Sequence, residues 1–145
     1  NLHSIPENSV IFISFGEIDC RGDEGFISAA NKLNRPVEKL ISETVRGYLK
    51  WCADTTEGKQ YEIFFLNIPA PMYSTNFCAE INNKVVNTIR KFNSCLKNCL
   101  LDYNFNLIDI YNITVQNDGF SNGKYHIDGR HLGPKTIRKI ETKLL

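Results

Sequence analysis

Apolar residues along this chain fall into two kinds of run, and their spacing predicts an alternation of strands and helices. Residues 9–15 (SVIFISF) are a continuous β-branched and aromatic stretch ending at Gly16. Such a run is the pattern of a strand covered on both faces, and it predicts a central strand of a parallel sheet. From Pro36 to Cys52 the apolar positions Val37, Leu40, Ile41, Val45, Tyr48, Leu49 and Cys52 recur every three or four residues. That spacing predicts an amphipathic helix, with Pro36 suited to its first turn. Residues 61–68 (YEIFFLNI) predict a second covered strand, stopped by Pro69-Ala70-Pro71 because proline cannot donate to a ladder. Phe77, Ile81, Val85, Ile89, Phe92, Leu96 and Leu100 then mark a second long helix, with Asn82, Asn83, Lys84, Lys91 and Lys97 on its wet side. Residues 105–110 (FNLIDI) predict a third strand, and Pro134 opens a terminal helix with Ile137, Ile140 and Leu144 facing inward.

Strands alternating with helices imply an α/β fold with a parallel sheet and right-handed crossovers. Ligands of such sheets sit beyond the carboxyl ends of the strands. Three segments end there: residues 16–22, 68–73 and 111–131.

A length of 145 residues fits one domain spanning 1–145, and 42 % hydrophobic residues with 11 % aromatics suffice for a buried core. Seventeen basic and sixteen acidic residues leave a net charge of +1, which argues against nucleic acid or an anionic membrane as partner. No apolar run approaches the roughly 18 residues that span a bilayer, so no membrane span is expected. Five scattered cysteines, Cys20, Cys52, Cys78, Cys95 and Cys99, are an odd number in a chain large enough to fold without staples. They read as reduced thiols of a cytoplasmic protein. Cys95 and Cys99 are four apart on a helix but lack a second ligand pair, so no metal is expected. Asn112-Ile113-Thr114 matches a glycosylation acceptor, a tripeptide common by chance.

Two segments concentrate reactive side chains. Asp128-Gly129-Arg130-His131 lies between the third strand and the last helix, with Gly129 and Gly133 expected to give the backbone freedom there. Asp128 can accept the Nδ1 proton of His131 across a tight turn, leaving Nε2 as a base for a serine hydroxyl. The plainer alternative is a histidine that caps or packs against the last helix. His126 competes for the role, but Ile127 separates it from Asp128; His3 sits in a tail. The second segment, Gly16-Glu17-Ile18-Asp19-Cys20-Arg21, follows the first strand directly. Backbone amides at such a strand end can stabilise an oxyanion. The alternative is a Glu/Arg or Asp/Arg pair that only pins the loop. Arg21 would lower the pKa of Cys20, but Asp19 and Glu17 oppose it, so Cys20 is not expected to be a nucleophile.

Together, "SFGEIDCR" after a covered strand and "DGRHL" before a terminal helix resemble the SGNH (GDSL-type) hydrolases, in a subgroup carrying GEIDCR. The resemblance covers the C-terminal two-thirds of such a domain. It implies a three-layer, flavodoxin-like sheet with its N-terminal strands absent here, and no cofactor or metal. It further implies ester hydrolysis or acyl transfer through an acyl-serine on a lipid or carbohydrate O-acyl substrate. Asp128 and His131 match the family's Asp-x-x-His block as orienting carboxylate and base. Gly16 matches the glycine of the third block, and Glu17, Asp19 and Arg21 would shape the oxyanion and substrate pocket. Ile18 stands where the family carries an oxyanion-binding Asn, and the Gly-Asp-Ser nucleophile block is absent: Ser14 lies inside a strand and Ser121 in a loop. Because the chain begins at Asn1 and its only methionine is Met72, the serine is expected upstream. The competing expectation is an inactive module of the same fold that binds a carbohydrate or a partner protein, with self-association through an open sheet edge. A phosphate-binding, response-regulator-like reading shares the fold but lacks a Gly-rich phosphate loop.

Overall fold

The computed structural model describes residues 4–144 and is mixed α/β, built around a three-stranded parallel sheet. Strand β1 (Val10–Ser14) is followed by α1 (Gly25–Leu33) and α2 (Val37–Thr56), then β2 (Glu62–Leu66), α3 (Ala79–Cys99), β3 (Asn106–Ile108), α4 (Ile110–Thr114) and α5 (Lys135–Leu144). The sheet order is β1-β2-β3, with Ile11 paired to Ile63, Ile13 to Phe65, and Phe65 to Leu107. Those residues share one sheet face. Against it pack Phe26 and Ala30 from α1, Ile41, Val45 and Leu49 from α2, and Ile89, Phe92 and Leu96 from α3, forming the core. At its centre Phe15 stacks on Tyr48 at 4.2 Å and meets Phe92 edge-on at 5.3 Å.

The other face differs from the sequence expectation. β1 pairs only with β2 among the described residues, and Val10 and Phe12 are each 51 % exposed, so β1 is neither central nor covered on both sides. A run whose only polar residues are Ser9 and Ser14 carries too little polar alternation to tell one covered face from two. Phe12 stacks on Phe64 at 5.4 Å, sheltering part of that face.

α1 was not visible in the hydrophobic pattern. Its residues, GFISAANKL, bury only Phe26 and Ala30, and it ends at Asn34 in the left-handed region (φ 48°). The last helix begins as expected but turns a different line inward: Thr136 is buried and Ile140 half-buried, whereas Ile137 is 58 % exposed. The bond from Thr136 N to Gly133 O at 3.0 Å fixes that entry. The side chain of Leu144 lies outside the described set, as does His3.

Beyond β2 the prolines end the ladder, and buried side chains take over the backbone's hydrogen bonds. Asn93 of α3 donates Nδ2 to Ile68 O (2.8 Å) and accepts from Ile68 N at Oδ1 (2.9 Å). Thr114 Oγ1 accepts from Ala70 N at 2.9 Å. Asn82, expected on the wet side of α3, is buried instead: its amide accepts from Ser74 N and donates to Ser74 O and Phe77 O. The periodicity places polar residues outward, but an amide that satisfies a turn is more stable inside. Asn93→Leu should therefore leave both polar groups of buried Ile68 unpaired and cost about 2 to 3 kcal/mol, read as a lower urea midpoint with unchanged m-value.

Candidate active site

The segments leaving β1 and β2 and the segment before α5 meet around one cavity of about 350 Å³. Glu17 and residues 20–23 form one wall, residues 68–77 a second, and His126, Gly129 and Arg130 a third. Asn82, Val85 and Ile89 of α3 complete its lining. The cavity therefore sits at the carboxyl end of the sheet, where the alternation of strands and helices predicts ligand binding.

Asp128 and His131 do not themselves line the cavity; they are the chain neighbours of Gly129 and Arg130, which do, on a loop closed by Ile127 N to His131 O (2.9 Å) and Gly133 N to Tyr125 O (2.7 Å). Asp128 Oδ1 accepts from the backbone N–H groups of Arg130 and His131, both at 2.7 Å. Its Oδ2 lies 2.7 Å from His131 Nδ1. A carboxylate can only accept, so Nδ1 carries the donated proton, and in the neutral ring Nε2 keeps its lone pair. Among the described residues Nε2 has no hydrogen-bond partner, and the His131 side chain is 73 % exposed. His131 is thus neither a cap nor a packed core residue. The backbone N–H of His131, its ring N–H and the backbone N–H of Arg130 together hold the Asp128 carboxyl well below the usual carboxylate range. Neither Gly129 nor Gly133 adopts a positive φ, so backbone freedom is not what they supply; a Cβ at Gly133 would meet Ile127 Cγ2 at 2.5 Å.

The loop after β1 is built differently from the pocket expected of it. Gly16 is buried at φ 90° and lies against the Phe92 ring, packed in the core rather than lining the cavity. Asp19 is half-buried and also absent from the lining. Glu17 and Arg21 do line it, but as an ion pair: Arg21 Nη2 to Glu17 Oε2 is 2.9 Å and Arg21 Nη1 to Glu24 Oε1 is 3.0 Å. This pins the loop, and partly exposed pairs of this kind are worth little stability. Cys20 is almost fully buried and burial pushes its thiol up, so it stays protonated and inert. All five cysteines are free thiols; Cys95 and Cys99 sulfurs are 3.9 Å apart, and the described residues contain no group of three or more side chains able to hold a metal. Among the described residues no helix is long and apolar enough to cross a membrane.

His126 lines the cavity, and its place was not legible from sequence spacing. Its partner is Ser121, whose Oγ lies 2.8 Å from His126 Nδ1, and burial lowers its pKa below the ordinary histidine value. A histidine held neutral by the fold favours the folded state at high pH, and that contribution is lost as pH falls below the unfolded value near about 6.5. The lowered Asp128 carboxyl acts with the same sign, but only below about pH 3.9. The urea midpoint should therefore be lower at pH 5.5 than at pH 7.5, and the difference should shrink in His126→Gln.

No protein-family model matches the chain, and no curated protein matches it.

Proposed function

We propose that the chain is the acid-base part of an SGNH-like serine ester hydrolase or acyltransferase, with a three-layer, flavodoxin-like sheet, acting on a lipid or carbohydrate O-acyl ester. The observation that carries this reading is the Asp128–His131 pair at 2.7 Å, its carboxylate fixed by two backbone N–H groups, on the loop whose Gly129 and Arg130 line a cavity at the carboxyl end of a parallel sheet. In this mechanism His131 Nε2 takes the proton of a serine hydroxyl as that oxygen attacks the ester carbonyl. It then returns the proton to the departing alkoxide, leaving an acyl-serine that water or an acceptor alcohol resolves by the same steps. Asp128 keeps the ring in the correct tautomer and stabilises the imidazolium. The nucleophile is contributed from outside the described residues.

Asp128→Asn tests the role of the pair. It retains the side chain's shape but replaces the carboxylate, and it should lower kcat of the natural protein on a short-chain aryl acetate by about 10² to 10⁴ with KM little changed. An unchanged kcat sinks the assignment. A second reading, a non-catalytic module binding a carbohydrate or partner protein, is favoured by one observation: no described side chain occupies hydrogen-bond distance of His131 Nε2. In that case neither Asp128 nor His131 affects any ester turnover.

A further inference from the structure

His126 offers a second function at the same cavity, one that the His131 mechanism does not use. It is held from several sides. Ser121 Oγ sits 2.8 Å from Nδ1, Ser121 N donates to Pro71 O at 2.8 Å, and the backbone of His126 bridges antiparallel to Leu132. Pro71 belongs to the wall formed by residues 68–77, so through Ser121 the imidazole is linked to a second side of the cavity.

The hydrogen bonds around Ser121 select a tautomer. Ser121 Oγ already accepts from Gly123 N at 3.1 Å, and the residue is buried. If Nδ1 also donated to Oγ, the hydroxyl proton would have no partner among the described residues, a costly state inside a protein. If instead the hydroxyl donates to Nδ1, all three groups are satisfied. Neutral imidazole then carries its one proton on Nε2. Nε2 has no hydrogen-bond partner among the described residues, and His126 is one of the residues that line the cavity.

We propose that His126, oriented by Ser121, is a neutral hydrogen-bond donor that holds the carbonyl oxygen of an acyl group bound in the cavity. The identification of an acyl carbonyl rests on the ester-hydrolase reading above; the donor itself follows from the Ser121–His126–Gly123 arrangement. A neutral donor suits a carbonyl, because it gains strength as negative charge builds on that oxygen without offering an acid that would compete with His131 for protons. His126 is thus a ligand-binding residue and Ser121 a positioning residue, and neither forms a covalent bond.

The test uses the natural protein labelled with 15N-histidine and acetanilide as probe, an aryl amide that presents an acetyl carbonyl and resists hydrolysis. At pH 7 the long-range 1H–15N spectrum should show His126 as the Nε2–H tautomer, and acetanilide should shift that nitrogen. Ser121→Ala should mix the tautomers. His126→Gln, whose amide nitrogen can donate from a similar position, should bind acetanilide within about threefold of wild type, and His126→Ala should lose about five- to tenfold. A Nδ1–H or protonated ring, failure of acetanilide to bind, or undiminished binding by His126→Ala overturns the proposal. If no ester is turned over yet acetanilide binds through His126, the ester-hydrolase reading fails and the donor stands. If turnover depends on His131 while His126→Ala alters neither binding nor rate, the donor alone fails.

Discussion

His131→Ala is expected to reduce the natural protein's turnover of a short-chain aryl ester by about 10⁴ or more while leaving its folding intact. The size follows from what the ring does: without a base the serine hydroxyl remains a weak nucleophile, and without an acid the alkoxide leaves unprotonated. The sparing of stability follows from exposure. The His131 side chain is 73 % accessible, and its backbone bond to Ile127 N persists in alanine. Circular dichroism and a urea midpoint within about 0.5 kcal/mol of wild type would separate lost chemistry from lost fold. The ring's one bond, to Asp128 Oδ2, joins two exposed side chains and is worth little stability, so a large loss would mean that the ring supports the loop in some further way.

Gly16→Ala should do the reverse, destabilising the fold by about 3 to 5 kcal/mol. Gly16 turns the chain at φ 90°, a region that alanine enters only with strain. Its added Cβ would lie 2.3 Å from Phe92 Cζ, and Phe92 is fully buried among Phe15, Phe26 and the neighbouring core. The ring can move only by displacing those neighbours, and overpacking of this kind adds to the backbone term. A drop of about 10 °C in thermal midpoint is the expected reading. Gly16→Ser should be at least as severe. If alanine is tolerated at Gly16, the packing of the β1 exit against α3 is not as described.

Gly16 shows how much could be read in advance. Its position at the end of a strand was legible because residues 9–15 are mostly β-branched and aromatic, but its role was not. The motif suggests an oxyanion pocket, whereas the structure makes it the point where chain and aromatic ring meet. The strands and the two long helices follow directly from hydrophobic spacing, which depends only on which side chains leave water. α1 escaped that reading because two buried residues in nine leave almost no periodic signal. Asn82 and Asn93 escaped it for a different reason: they are buried to satisfy backbone groups of residues 68–77, a need created by Pro69 and Pro71 and invisible in the helix's own pattern.

The pairing of Asp128 with His131 was legible because three residues on a turn nearly fix the geometry. That of His126 with Ser121 was not. Adjacency to Asp128 was the wrong criterion, since the partner lies five residues earlier and is brought near by the Val115–Ser121 and His126–Leu132 bridges. Glu17 and Arg21 were legible as a pair and as cavity residues, but not as both at once.

His131, oriented by Asp128, is proposed to activate a serine. Fluorophosphonate labelling of the natural protein, with the modified residue mapped by mass spectrometry, addresses that directly, because the probe phosphonylates only serines made nucleophilic by a nearby base. One labelled serine is expected in wild type, with labelling slowed by at least about 10² in His131→Ala. Equal labelling with and without His131, or no labelled serine at all, would contradict it.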